Sequence, residues 1–200
     1  RGVHSEFSKD YIEDKKTLAP MNPRIAIRKS TNRTNSRTMI ASLVPPEVFL
    51  QDGAQYLIWP NGSINDQIFL LGILSSIPLD WFSRMFVEMN FNFFLINPLP
   101  IPRPLDSNPL KKRVIDLAGR LAFIDDRYIN WAKEVKTDYG PLESSLKKEY
   151  IYELDALACI LYSLKENDIN HIFKTFHEGW NYEFRMNQVI KHYKKWISRI

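Results

Sequence analysis

Four prolines fall at alternate positions in residues 97–104 (Pro98, Pro100, Pro102 and Pro104), and no other stretch restricts the fold as sharply. Proline lacks the amide hydrogen and fixes φ, which excludes this segment from a helix interior and from a central strand. The chain must cross it extended. Before it, short strand-like runs give way to two helical patterns; after it, the sequence reads as helix throughout. The expected fold class is α+β, a small, mostly antiparallel sheet region followed by a helical C-terminal region. Residues 1–20 form a polar lead-in, 21–105 the α+β region, and 106–200 the helical region, packed on the former as one unit.

Residues 24–30 alternate, with Ile25 and Ile27 on one face and Arg24, Ala26 and Arg28 on the other, the pattern of a half-buried strand. Residues 31–36 form a polar turn-forming loop. Strand character resumes over 37–44 and stops at Pro45 and Pro46, and residues 47–49 and 55–59 read as further short strands. Asn65 is placed to cap a buried helix over 66–76. Pro78 suits the first turn of a helix to about residue 89, with Leu79, Phe82, Met85, Phe86 and Met89 as its core stripe. Residues 91–95 read as extended, with Phe91, Phe93 and Phe94 assigned to the core. Asn108 and Pro109 then open a helix to about residue 124. Helices over 126–135, 143–164, 167–176 and 187–197 complete the chain, and Trp81, Trp131, Trp180 and Trp196 are assigned to the core or to contacts between regions.

Net charge is +4, from 27 Lys and Arg against 23 Asp and Glu, but it is unevenly placed. Residues 24–46 hold five basic residues and no acidic one, and residues 184–200 hold five more without an acid. Such local runs suit a polyanionic partner; the other reading is ordinary solvated surface. The single cysteine, Cys159, excludes an internal disulfide framework, sits among apolar neighbours as a core residue, and fits a cytoplasmic location. The apolar run at 68–77 is too short and too interrupted to span a bilayer, so no membrane partner is expected. The opening on Arg1 and the unpatterned start suggest a piece of a longer protein.

Catalytic patterns are weak. No two of the seven glycines are spaced as Gly-x-Gly, so no cofactor is expected in this chain. Asn97-Pro98-Leu99-Pro100 is superficially similar to the Asn-Pro-Pro-aromatic motif of amino-methyltransferases, but the aromatic that would stack on a flipped base is missing. Glu13-Asp14-Lys15 and Glu134-Val135-Lys136 match the Glu-x-Lys of Mg²⁺-dependent nucleases, a pattern that charged helix surfaces also produce. The four histidines (His4, His171, His177 and His192) show no paired ligand spacing, and no metal is expected. Neither is a catalytic residue.

Three blocks then occur in order. Residues 24–46 hold a strand, a Ser/Thr-Asn loop, Arg37-Thr38 and a second strand ending in Pro45-Pro46. Residues 70–102 run from Leu70-Leu71-Gly72 to Asn92-Phe93-Phe94 and the prolines. Residues 153–180 contain Leu154-Asp155-Ala156-Leu157, Leu161-Tyr162 and Ile172-Phe173-Lys174-Thr175-Phe176. Together they resemble the C-terminal, target-recognising part of the Eco57I-like and type IIG-like N6-adenine DNA methyltransferases, over about residues 20–196. The resemblance implies sequence-specific recognition of double-stranded DNA within a restriction-modification or phage-defence system. It further implies an upstream methyltransferase domain that binds S-adenosylmethionine, with no catalysis here. Where many relatives carry a Tyr-Arg-Thr-Lys-like segment before the last helix, this chain has Glu183-Phe184-Arg185-Met186-Asn187.

On that reading the DNA-facing residues are Arg28, Lys29, Thr31, Asn32, Arg33, Thr34, Asn35, Arg37 and Thr38. Arg and Lys grip phosphate or read guanine, Asn reads adenine, and Thr positions the backbone. The plain alternative is a polar surface hairpin. Two other functions stay open: a protein-interaction module whose helix over 143–164 docks a partner, and a chain retaining an Mg²⁺-dependent nuclease site.

Overall fold

The alternating isoleucines of residues 24–28 become the middle of the sheet. In the computed structural model, which describes residues 13–14, 18–58, 62–177 and 179–200, strand β1 (Arg24–Arg28) lies between β2 (Ala41–Val44) and β3 (Ala54–Ile58). It is antiparallel to both. Ile25 stands opposite Leu43 on one side and Leu57 on the other, so the three share the inner face. A short 3-10 turn (Ala19–Met21) precedes the sheet.

Among the described residues eight helices follow. They are α1 (Ile64–Leu74), α2 (Ile77–Arg84), α3 (Phe93–Ile96), α4 (Pro109–Ala122), α5 (Ile129–Val135), α6 (Ser144–Leu161), α7 (Glu166–Thr175) and α8 (Glu183–Ile197). The fold is α+β, a small antiparallel sheet followed by a helical C-terminal region. α1 packs on β2 and α4, α4 on α6, and α6 on α8. One hydrophobic core runs from Ile25 and Ile27 through α1 and Val114 to Leu154 and Leu157, so both sides of the proline segment share it. A smaller cluster under α7 and α8 holds Ile77, Cys159, Ile169 and Val189. No helix among the described residues is long and apolar enough to cross a membrane.

Local signals explain most boundaries. Asn108 accepts from the amides of Leu110 and Lys111, and Pro109 fills the first turn of α4. α1 is buried on nearly every side, as its all-round apolar sequence requires, but its cap is Ser63, whose hydroxyl accepts from Asp66 N at 3.0 Å, rather than Asn65.

Other boundaries differ from expectation. β2 begins at Ala41 instead of 37, because the amides of Thr38 and Met39 bond a carboxylate of α2 rather than the ladder. Residues 47–49 form no strand; Glu47 has φ of 66° and its amide donates to Pro20 O. β1 is covered on both faces: Arg24, only 1 % exposed, donates to Val48 O and lies over the Tyr56 ring. α2 stops at Arg84, leaving Met85, Phe86 and Met89 exposed rather than in a core stripe. Phe91 is buried, but Phe93 and Phe94 open a short helix and stand in solvent, Phe94 by 70 %. Trp131 is core, Trp81 and Trp196 are half-buried, and Trp180 is exposed. Most of the lead-in 1–20 and Trp59 lie outside the described residues.

Two contacts hold the helical layers. Gly72 lets α1 approach α4 so closely that a Cβ there would sit 2.8 Å from Val114 Cγ1 and 3.1 Å from Ala118 Cβ. Glu153 of α6 accepts both Nε (3.0 Å) and Nη2 (2.8 Å) of Arg113 and the indole N–H of Trp196. Burial penalises this carboxylate, but the Arg113 and Trp196 bonds outweigh it and hold its pKa below the ordinary value.

Gly72→Ala should therefore cost about 1–3 kcal/mol in urea unfolding through overpacking. Combined with Val114→Ala, it should cost less than the two single losses added. Because the folded pKa of Glu153 is depressed, its contribution to stability is present above the unfolded value of about 4.3 and fades as pH falls through the folded value. Glu153→Gln should flatten that acid limb in denaturation midpoints measured from pH 6 to pH 3.

Candidate nucleic-acid interface

The polar run between β1 and β2 is a connection of twelve residues, 29–40. Hairpin connections need only about two to five. Length alone would leave it loose, yet its backbone is bonded at most positions. Thr31 N donates to Met89 O, Phe91 N to Lys29 O, and Ser30 bridges Asn90, which fixes the loop's base to the segment after α2. Inside the loop the Asn32 carboxamide oxygen accepts from Thr34 N, Thr34 Oγ1 and Asn35 N, an Asx turn. Thr38 Oγ1 donates to Asn32 O, and Thr31 Oγ1 donates to Thr38 O.

The tip is held from α2. Asp80, fully buried, accepts from the amides of Thr38 (3.0 Å) and Met39 (2.9 Å). Arg37 Nε lies 2.5 Å from Asp80 Oδ2 as an ion pair, and Arg37 Nη2 donates to Ser75 O. One turn on, Arg84 donates to the carbonyls of Arg33, Asn35 and Phe176, and its guanidinium lies 4.0 Å from the centre of the Phe176 ring. Burial lowers the Arg84 pKa while Asp80 opposes that shift. α2 itself is anchored by a second buried carboxylate: Asp155 of α6 accepts from Ile77 N at 2.9 Å and from Arg185 Nη2 at 2.6 Å.

This network divides the residues singled out from the sequence. Thr31 and Thr38 are buried and Arg37 is tied to Asp80 and Ser75; the three shape the loop instead of facing outward. The side-chain oxygen of Asn32 is consumed by its turn, so it lacks the acceptor that paired reading of adenine needs. Arg28 and Arg33 are exposed, and Arg33 has no side-chain hydrogen bond among the described residues. Lys29 pairs with Asp52 at 2.6 Å, on a carboxylate 90 % exposed. Asn35 is half-buried, and among the described residues its side chain makes a single 3.4 Å bond, from Nδ2 to Thr31 Oγ1. Arg28, Lys29, Arg33 and Asn35 thus remain at the surface together with Thr34.

The sequence reading missed Asp80 and Arg84. Their spacing of four on a helix was visible, but such pairs are ordinarily solvent-exposed. Asp155 was in view only as part of a motif block.

Beside the loop an open cleft of about 800 Å³ is bounded by α2, α7 and the turn after α7. Arg33, Thr34, Trp81, His171, Thr175 and His177 contribute to its wall, and no Asp or Glu does among the described residues. His177 Nε2 lies 2.6 Å from Thr34 O, joining the turn to the loop. Under the proline segment lies another depression, of about 540 Å³, mostly apolar and edged by the Lys111–Asp66 ion pair. Among the described residues no group of three or more His, Cys, Asp or Glu is placed to hold a metal ion.

No family model, curated protein or solved structure matches this chain. The geometry of the loop and its cleft therefore carries the functional argument, with the sequence blocks described above.

Asp80→Ala should strand Arg37 and two buried amides. Losing one partner of a buried charge pair costs roughly 3–5 kcal/mol. The expected result is a fall of that size in urea unfolding, with faster hydrogen exchange at residues 30–40 than at the β1–β3 ladder.

Proposed function

We propose that this chain is a sequence-specific DNA-recognition module, and that the β1–β2 loop is its reading surface. The observation that carries this reading is a twelve-residue, acid-free loop held to shape through its backbone by buried Asp80 and Arg84, with cationic side chains left outward. A loop this rigid presents Arg28, Lys29 and Arg33 to phosphates without first being ordered, so little entropy opposes binding. The exposed Lys29–Asp52 pair is weak and open to exchange for a phosphate. Asn35, whose carboxamide oxygen is unengaged among the described residues, is the better placed of the two asparagines to read adenine.

The order of the three sequence blocks supports a place for the module in a larger N6-adenine DNA methyltransferase of a restriction-modification system. In such a protein the S-adenosylmethionine site and the methyl transfer belong to an upstream domain, and this chain supplies the choice of target. Its partners are then double-stranded DNA and that domain.

Fluorescence anisotropy on labelled duplexes across salt concentrations tests the assignment. Each neutralised phosphate contributes about −0.9 to the log–log salt slope, so Arg28 at the end of β1 with Lys29 and Arg33 of the loop give about −3. Arg33→Ala should weaken binding on every sequence and move the slope by about one unit towards zero. Asn35→Ala should instead lower discrimination between duplexes. A flat salt response in the unmodified chain, or slopes in Arg28→Ala and Arg33→Ala that do not differ from that of the unmodified chain, overturns the reading.

A further inference from the structure

We infer that the cleft beside the loop receives one unstacked nucleotide, its base against Trp81 and its phosphate at Arg33. The inference deepens the DNA-recognition reading, because the same loop forms one wall of the cleft. Three observations carry it.

The first is size. At about 800 Å³ the cleft falls in the range of small-molecule sites, about 300–1,000 Å³. It suits a single nucleotide and is too small for a stretch of duplex.

The second is a fixed aromatic wall. The Trp81 indole donates through Nε1 to Thr175 Oγ1 at 2.9 Å and meets the His171 ring edge-on at 5.9 Å between centres. Both contacts lock its orientation, while the indole stays half-exposed in the cleft. A ring already fixed is a stacking platform that tolerates any base, since every base has a π face.

The third is charge. No carboxylate lines the cleft among the described residues, and Arg33 on its rim has no competing hydrogen bond there. Arg84, which also lines the cleft, shares the single buried carboxylate of Asp80 with Arg37, two guanidiniums against one carboxylate. An aromatic wall with a cationic rim and floor fits a planar base bearing a phosphate. A duplex presents such a unit only when one nucleotide leaves the stack.

The test compares three 12-nucleotide DNA probes at fixed low salt: a matched duplex, the same duplex with one unpaired adenine, and the single strand. The unpaired-adenine duplex should bind about tenfold tighter than the matched one and quench tryptophan fluorescence. Both effects should disappear in Trp81→Leu. His171→Ala and Arg33→Ala, at exposed positions, should each reduce the preference at least threefold even if Trp81→Leu does not fold. Equal binding of matched and unpaired-adenine duplexes, or a preference unchanged in His171→Ala and Arg33→Ala, overturns the cleft assignment and leaves the loop as a duplex reader. Failure of all three probes to bind overturns the DNA-recognition reading itself.

Discussion

A carboxylate taken out of water must recover its lost hydration from fixed donors, and Asp80 recovers it from the backbone of the β1–β2 loop. The two amides of Thr38 and Met39, together with the Arg37 guanidinium, offset a desolvation cost of several kcal/mol. The dependence runs both ways. Without the carboxylate those amides have no ladder partner, since β2 has not yet begun; without the loop, α2 would carry a bare charge inside the protein. The loop and the helix therefore form together or not at all.

That bond also explains why the loop's position is set by the far half of the chain. Asp155 of α6 receives the first amide of α2 and the guanidinium of Arg185 on α8. Arg84, at the other end of α2, reaches the Phe176 carbonyl just beyond α7. A short helix is thus held at its start by a buried acid of α6, through its own Asp80 to the loop, and through its own Arg84 to the loop and the Phe176 carbonyl. The C-terminal helices, which supply two of those grips, do more for the loop than add bulk to the core.

Much of the fold could be read from residues alone, where the cause was local. Ile25 and Ile27 announce a strand, Asn108 with Pro109 announces a helix start, and the prolines at 98–104 forbid regular structure. Sequence failed where a distant partner intervened. Residues 37–39 look like strand and would extend β2, but a carboxylate about forty residues away takes the amides of residues 38 and 39. Met85, Phe86 and Met89 keep helical spacing past the end of α2, yet the chain turns back there to meet the loop's base. The candidate site shows the same division. The basic run was plain in the sequence, but Arg33 and Arg37 look alike in it, and only the position of Asp80 makes one a surface cation and the other a strut.

The grip that the rest of the protein takes on the loop falls largely on its main-chain groups. Arg84 grips the carbonyls of residues 33 and 35, His177 meets the carbonyl of residue 34, and Asp80 holds the amides of residues 38 and 39. None of these bonds asks what side chain stands at residue 33 or 36. Drift at those positions can alter what the loop presents while its path through space stays put. If the loop reads DNA as proposed, such a surface can acquire a new specificity by point substitution, with the scaffold beneath it inherited unchanged.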